Sequence, residues 1–265
     1  MLYSFQGKKD GTGPAAGLTA VSCKLYGTAA AGGAHGKGTV FSITRSGTFA
    51  TLYSFKGGSS DGATPKAALT NVAGVLYGTT ADGGSTGNSS DCGAVFSLST
   101  GGQYRVRYFF GGAKDDGCKP ESPLVNVAGK LYATTIQGGV GFPGKGTIFS
   151  VTPGGTETVL HRFKGLADGQ CGFNCYLTKL DGTLYGTAYS GGKDGIGSVF
   201  SIKPGNAFKT LYSASGKGAG GGNPDASLTN VGGTLYGTMS EGPPGKRGTV
   251  FFRDDGRFPK NHPCV

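Results

Sequence analysis

The sequence predicts an all-β fold made of five copies of one four-stranded unit, and three observations carry that prediction. A Leu-Tyr-Gly-Thr motif begins at Leu25, Leu76, Leu184 and Leu235, and Leu131-Tyr132-Ala133-Thr134 completes the series at spacings of 51, 55, 53 and 51 residues. Each motif is followed by a small residue, a β-branched residue and phenylalanine: Thr39-Val40-Phe41, Ala94-Val95-Phe96, Thr147-Ile148-Phe149, Ser198-Val199-Phe200 and Thr249-Val250-Phe251. Glycine supplies 54 of the 265 residues without a collagen period, strand formers fill the intervals, and no stretch keeps a helical apolar period.

Within each unit the strands follow in order. A short element such as Ala67-Ala68-Leu69-Thr70 comes first, the Leu-Tyr-Gly-Thr strand second and the strand ending in phenylalanine third. The fourth reads Leu52-Tyr53-Ser54-Phe55, Arg107-Tyr108-Phe109-Phe110, Leu160-His161-Arg162-Phe163 and Leu211-Tyr212-Ser213-Ala214. Strands this short cannot bury an apolar face alone, so the units must stack on one another, and a five-bladed β-propeller of four-stranded blades is expected over residues 1–265 as a single domain. Leu2-Tyr3-Ser4-Phe5 reads as an outer strand with no unit before it, and the last unit has none after Phe251. The ring is therefore expected to be closed by the N-terminal strand, which would cover two open edges at once.

The pieces Leu-Tyr-Gly-Thr-Thr, Gly-Gly, Leu-Tyr-Ser-Phe and Asp-Gly-x-x-Pro, fullest between Leu52 and Leu98, together with Gly-Thr-Val-Phe-Ser-Ile, resemble the Gloeobacter/Verrucomicrobia (GloVer) tandem repeat of exported bacterial proteins. The resemblance runs along essentially the whole chain. It implies export, sometimes with a C-terminal sorting anchor, and no shared catalytic activity. Asn261-His262-Pro263-Cys264-Val265 shows no anchor segment, and Met1 leads straight into repeat sequence, so an exported chain would be a trimmed product.

Six cysteines without a paired C-x-x-C motif point to disulfides and an extracytoplasmic location. Cys92 with Cys118, Cys171 with Cys175 and Cys23 with Cys264 are the pairs the strand order favours, the last stapling the ring; Cys118 to the Cys171 region competes, and the connectivity is one of fifteen. No apolar run is long enough to span a bilayer.

The links between first and second strands, and between third and fourth, are tight. The other two classes are long and fall on one face, the expected place for binding chemistry. Charge differs between the faces. The long loops hold acids and bases in near balance, whereas Lys24, Arg45, Arg105, Arg107, Lys130, Lys203, Arg253 and Arg257 give the short-turn face and outer strands most of the net charge of +10. An acidic glycan, an anionic surface or an acidic protein suits such a face, and nucleic acid is not expected.

Asp-Gly recurs at Asp10, Asp61, Asp116 and Asp168. These carboxylates are weak metal candidates. A turn role is the simpler reading, because no spaced set of oxygen ligands surrounds them. Gly139 to Lys145 spells G-x-x-x-x-G-K, but Gly146 stands where a phosphate loop needs Ser or Thr. His35, His161 and His262 have no nucleophile nearby in sequence, and Asn88-Ser89-Ser90 is a sequon of meaning only in a eukaryotic secretory host. No cofactor is expected. The expected role is a non-enzymatic exported or surface-associated protein that binds a protein partner or joins a larger assembly. A lectin-like carbohydrate-binding propeller, and a hydrolase or lyase with a long-loop site, are the alternatives.

Overall fold

A computed structural model describes residues 1–84, 91–111, 115–140, 144–172, 175–205, 207–215, 221–242, 245 and 247–253. The described chain is all-β. Four four-stranded antiparallel sheets follow one another, with strands at Thr19–Val21, Lys24–Ala29, Thr39–Thr44 and Phe49–Ser54 in the first and at Thr70–Val72, Val75–Thr80, Ala94–Ser99 and Tyr104–Phe109 in the second. The third uses Val125–Val127, Lys130–Thr135, Thr147–Val151 and Glu157–Arg162, and the fourth Leu177–Leu180, Thr183–Ala188, Ser198–Ile202 and Lys209–Ser213. In the fifth, Thr234–Glu241 pairs with Thr229–Val231, Thr249–Arg253 and Gly222–Pro224.

The chain divides into two compact units, Met1–Thr135 with Phe149–Val159, and Ile136–Ile148 with Leu160–Val265. In the first unit, Phe55, Leu69, Leu76, Phe96 and Leu98 form one apolar cluster with Tyr26 and Val40, and Phe110, Leu124, Leu131 and Phe149 belong to another. In the second, Val199, Leu228, Leu235, Met239 and Phe251 pack together.

Register explains the repeated motif. Gly27, Gly78, Gly186 and Gly237 each lie opposite the phenylalanine of the neighbouring third strand, at Phe41, Phe96, Phe200 and Phe251. A Cβ on these glycines would stand 2.4–2.6 Å from the phenylalanine Cζ, so the ring lies over bare backbone. The threonine that follows reaches the next sheet. Thr28 donates to the Ala67 carbonyl at 3.0 Å, Thr79 to Ser122 at 3.3 Å and Thr187 to Ala226 at 3.1 Å.

Outer-strand aromatics make the second link between successive sheets. Tyr53 stacks on Tyr104 at 3.8 Å and Phe55 meets Phe96 edge-on at 5.2 Å; Phe110 does the same to Phe149 and Phe163 to Phe200. The tight links are hairpin turns. In Asn71-Val72-Ala73-Gly74 the last two residues take positive φ, and the Asn71 side chain accepts from the Gly74 N–H at 2.9 Å.

The sequence expectation of an N-terminal strand is corrected in part. Residues 1–18 form no strand beyond a bridge from Thr12 to Ala31, and among the described residues no sheet is closed on itself. Tyr3 nonetheless stacks on Phe49 at 4.0 Å, and Phe5 meets Phe41 edge-on at 5.2 Å. Those are the contacts an outer strand makes with the sheet after it. Side-chain packing reproduces the repeat here without a backbone partner.

Candidate functional site

The four Asp-Gly carboxylates are buried, at 7, 3, 6 and 7% exposure for Asp10, Asp61, Asp116 and Asp168. Each accepts a bond from an aromatic side chain, from Tyr3 at 2.7 Å ahead of the first sheet and from the outer-strand residues Tyr53 at 2.8 Å, Tyr108 at 2.8 Å and His161 at 2.9 Å. Each also accepts a backbone N–H, from Gln6, Lys56, Gly111 and Lys164 respectively. Asp61 takes a further bond from the Tyr104 hydroxyl at 2.6 Å. These aspartates therefore tie the loop to the outer strand. Among the described residues no group of three His, Cys, Asp or Glu side chains is placed to hold a metal ion. An aromatic donor seven or eight residues before each Asp was the signal in the sequence.

Burial and the carboxylate keep the Tyr53, Tyr104 and Tyr108 hydroxyls protonated far above the usual tyrosine range. At Asp10 the backbone N–H of Gln6 leads the forces that hold the carboxyl below its ordinary value. His161 replaces tyrosine in its unit and stacks on Phe208 at 3.7 Å. Burial pushes its imidazole below the ordinary value, Lys164 acts in the same direction, and Asp168 pulls against both. The folded chain therefore prefers the neutral ring. An unfolded histidine binds its proton near pH ~6.5, so this contribution to stability is present above that pH and is lost as the pH falls below it. His161→Tyr is expected to flatten the urea-melt stability profile between about pH 7 and 5; an unchanged slope would count against the assignment.

A different group of charges gathers on the long loops of the first unit. Asp82, two residues past the second strand of sheet 2, bonds the Lys119 ammonium, and Lys66 pairs with Glu121 at 2.6 Å. Burial alone would raise Asp82. Hydrogen bonds from Lys119 and Thr64, with the charges of Lys119 and Lys66, outweigh it and hold the carboxyl below the usual range. The supporting backbone is tightly fixed. Gly62–Ala63 pairs with Asp82–Gly83, the Ala81 N–H donates to Thr64, the Lys119 N–H donates to Cys92, and a disulfide joins Cys92 to Cys118. Thr64 and Lys119 both sit at positive φ, 56° and 60°, a conformation that costs a side-chain-bearing residue and is kept where surroundings enforce it. The group thus offers an ionised carboxylate beside ammonium groups in a half-buried, braced setting.

Sequence reading did not single out Asp82 or Glu121. Asp82 occupies a position held elsewhere by Ala31, Gln137, Ser190 and Glu241, so the repeat pattern carries no mark of it. A second disulfide joins Cys171 to Cys175, Cys23 is exposed, and Cys264 lies outside the described residues. Of the basic-face candidates, Lys24, Arg45, Arg105 and Lys203 are exposed, Lys130 is intermediate, and Arg107 donates to the Ser97 hydroxyl at 2.8 Å. The Arg253 side chain and Arg257 lie outside the described set, as do the Asn88 sequon and His262.

The profile of the Gloeobacter/Verrucomicrobia repeat matches twice, over residues 1–140 and 85–251. The chain belongs to this repeat family. No curated protein sequence matches this Gloeobacter/Verrucomicrobia-repeat chain. Among solved structures, a putative 6-phosphogluconolactonase from Bacteroides uniformis is similar at TM-score 0.55 and 17% identity, over 89% of this chain and 66% of that one. A putative gluconolactonase is similar at TM-score 0.50 and 14% identity, over 93% of this chain and 77% of that one. An α-L-arabinanase from Cellvibrio cellulosa is similar at TM-score 0.45 and 11% identity, over 92% of each.

At these identities the likeness is one of fold, and the repeat-family chain shares an all-β, propeller-like architecture with the two lactonase-named structures. The expectation of a non-enzymatic role is overturned by this comparison. Solved structures of this architecture are named for hydrolytic enzymes, so an absent sequence motif gives no ground for excluding catalysis. Two disulfides fit an extracytoplasmic location for the repeat-family chain, and no described helix is long and apolar enough to cross a membrane.

Proposed function

We propose that the protein is a hydrolase acting on a cyclic ester of a sugar acid, with its site at Asp82, Lys119, Lys66 and Glu121. The observation that carries this reading is the Asp82 carboxylate, held ionised by Lys119 and Thr64 next to a second Lys–Glu pair. The lactonase names of two structures of like fold support the reaction class.

In the reaction, a water oxygen attacks the carbonyl carbon while Asp82 accepts the water proton. The carbonyl electron pair moves to oxygen, where a lysine ammonium stabilises the charge. The ester C–O bond then breaks, the protonated Asp82 returns its proton to the leaving oxygen to give a hydroxyl, and the new carboxylic acid releases its remaining proton to solvent as a free carboxylate. A base held below the usual carboxylate range stays ionised down to about pH 4, so the acid limb of the rate profile falls below that value. Continuous titration of the acid released from gluconolactone and related sugar lactones tests this. Release above the spontaneous rate, with an acid limb below about pH 4, is expected; a panel without enzyme-dependent release rejects the reading.

The finer architecture is proposed as well: five blades in one ring, with Leu2–Phe5 supplying the outer strand of the last. Repeat equivalence supports it. Tyr26 and Val40 are buried against the sheet that follows theirs, whereas their equivalents Tyr236 and Val250 are 39% and 69% exposed. On the first sheet, an apolar groove of about 380 Å³ beside Leu2, Phe5, Leu18 and Phe41 has the lining that such side chains fill elsewhere. Peptide mapping without reductant is expected to find Cys23 linked to Cys264; two free thiols there, in protein whose other disulfides are intact, would rule out the staple.

A further inference from the structure

The second unit holds a cavity of about 310 Å³ that belongs to none of the groups above, lined by Lys145, Lys164, Leu166, Gln170 and Ser190 over a glycine floor. Both lysines have anchored backbones. The Lys145 carbonyl accepts the Cys171 N–H at 3.0 Å, and the Lys164 N–H donates to the buried Asp168 at 2.7 Å. The Cys171–Cys175 disulfide braces the first anchor, and the Gln170 N–H donates to the Ser190 carbonyl at 2.8 Å. The floor is closed tightly: a Cβ on Gly191 would stand 2.5 Å from the Gly165 carbonyl oxygen.

Neither ammonium has a carboxylate within 4 Å among the described residues. The repeat shows why this place differs from its counterpart. In the first unit Lys37 and Lys56 hold the equivalent positions, and the Lys37 stem lies over Gly57 as that of Lys145 lies over Gly165. There, however, the position of Ser190 is Asp82. The second unit thus keeps the lysine pair, replaces the acid by a hydroxyl, and adds Leu166, 73% exposed, at the rim.

We infer that this cavity binds the carboxylate of an acidic sugar. Two exposed ammonium groups at one cavity, with no carboxylate within 4 Å among the described residues, favour an anion there. The Gln170 amide and Ser190 hydroxyl suit sugar hydroxyls, and Leu166 suits the apolar face of a pyranose ring. The inference stands apart from the hydrolase reading, because the two sites share no residue.

Calorimetric titration of the full chain with D-galacturonate, D-galactose, sodium sulfate and polygalacturonate tests it. Saturable galacturonate binding is expected, at least tenfold tighter than galactose or sulfate and weakened by salt. Lys164→Met and Ser190→Asp, the latter restoring the acid of the first unit, are each expected to weaken it at least tenfold with unchanged thermal melts. Asp82→Asn is expected to leave it intact, which separates this result from any failure of the hydrolase. Polygalacturonate binding tenfold more tightly than the monomer assigns the polymer as the source, and equal affinity per residue assigns the free acid. No saturable galacturonate binding, equal affinity for galactose or sulfate, or full affinity in Lys164→Met overturns the inference.

Discussion

Asparagine at position 82 is expected to lower lactone turnover by about a hundredfold or more, the usual worth of a positioned general base. The substitution keeps the side chain's shape and a hydrogen-bonding oxygen for Lys119, so the loop ladder between Gly62–Ala63 and Asp82–Gly83 should persist. What it removes is the charge that accepts a proton. The loss should fall on kcat more than on KM, because the attacking water is involved only in the transition state. Glu121→Gln, which touches the neighbouring Lys66 and not the base, is expected to cost less. A kcat within threefold of the parent for Asp82→Asn, in protein with an unchanged melt, would remove Asp82 from the chemistry.

The second large effect concerns stability. Asp61 is 3% exposed and receives the hydroxyls of Tyr53 and Tyr104 and the N–H groups of Lys56 and Gly62. Asp61→Ala leaves these donors without an acceptor in a buried setting, where each unsatisfied group costs about 1–3 kcal/mol. Water entering the space recovers part of that, so a net loss of about 3–4 kcal/mol is expected. In a chain of this size that lowers Tm by about ten degrees. Asp61→Asn retains an acceptor and should fall between the two. Urea melts resolve the ranking, and an alanine variant within about 1 kcal/mol of the parent would show that the tyrosines find other acceptors.

Much of the architecture was legible because the repeat exposes its own physics. Leu-Tyr-Gly-Thr announces a strand whose glycine lies under a phenylalanine and whose threonine bonds the next sheet, and both partners recur at fixed distances. The structure joins Cys92 to Cys118 and Cys171 to Cys175, two of the pairs that strand order favoured while a bridge from Cys118 to the Cys171 region stayed in competition. The Asp-Gly carboxylates were recognised as turn residues, but the aromatic donor that recurs seven or eight residues before each was not connected to them. Asp82 was invisible for the opposite reason. Its neighbours repeat and it does not, so a reading guided by recurrence passes over the residue that departs from it. Leu2–Phe5 shows a further limit: strand propensity and aromatic spacing were right, yet a strand also needs a backbone ladder, which sequence pattern does not supply.

The links between successive sheets are side-chain links, an aromatic from one outer strand and a threonine hydroxyl from one second strand. A unit inserted or deleted whole would meet the same phenylalanine and the same carbonyl that its predecessor met. The junctions therefore do not count. Gene duplication can lengthen such a chain without redesigning an interface.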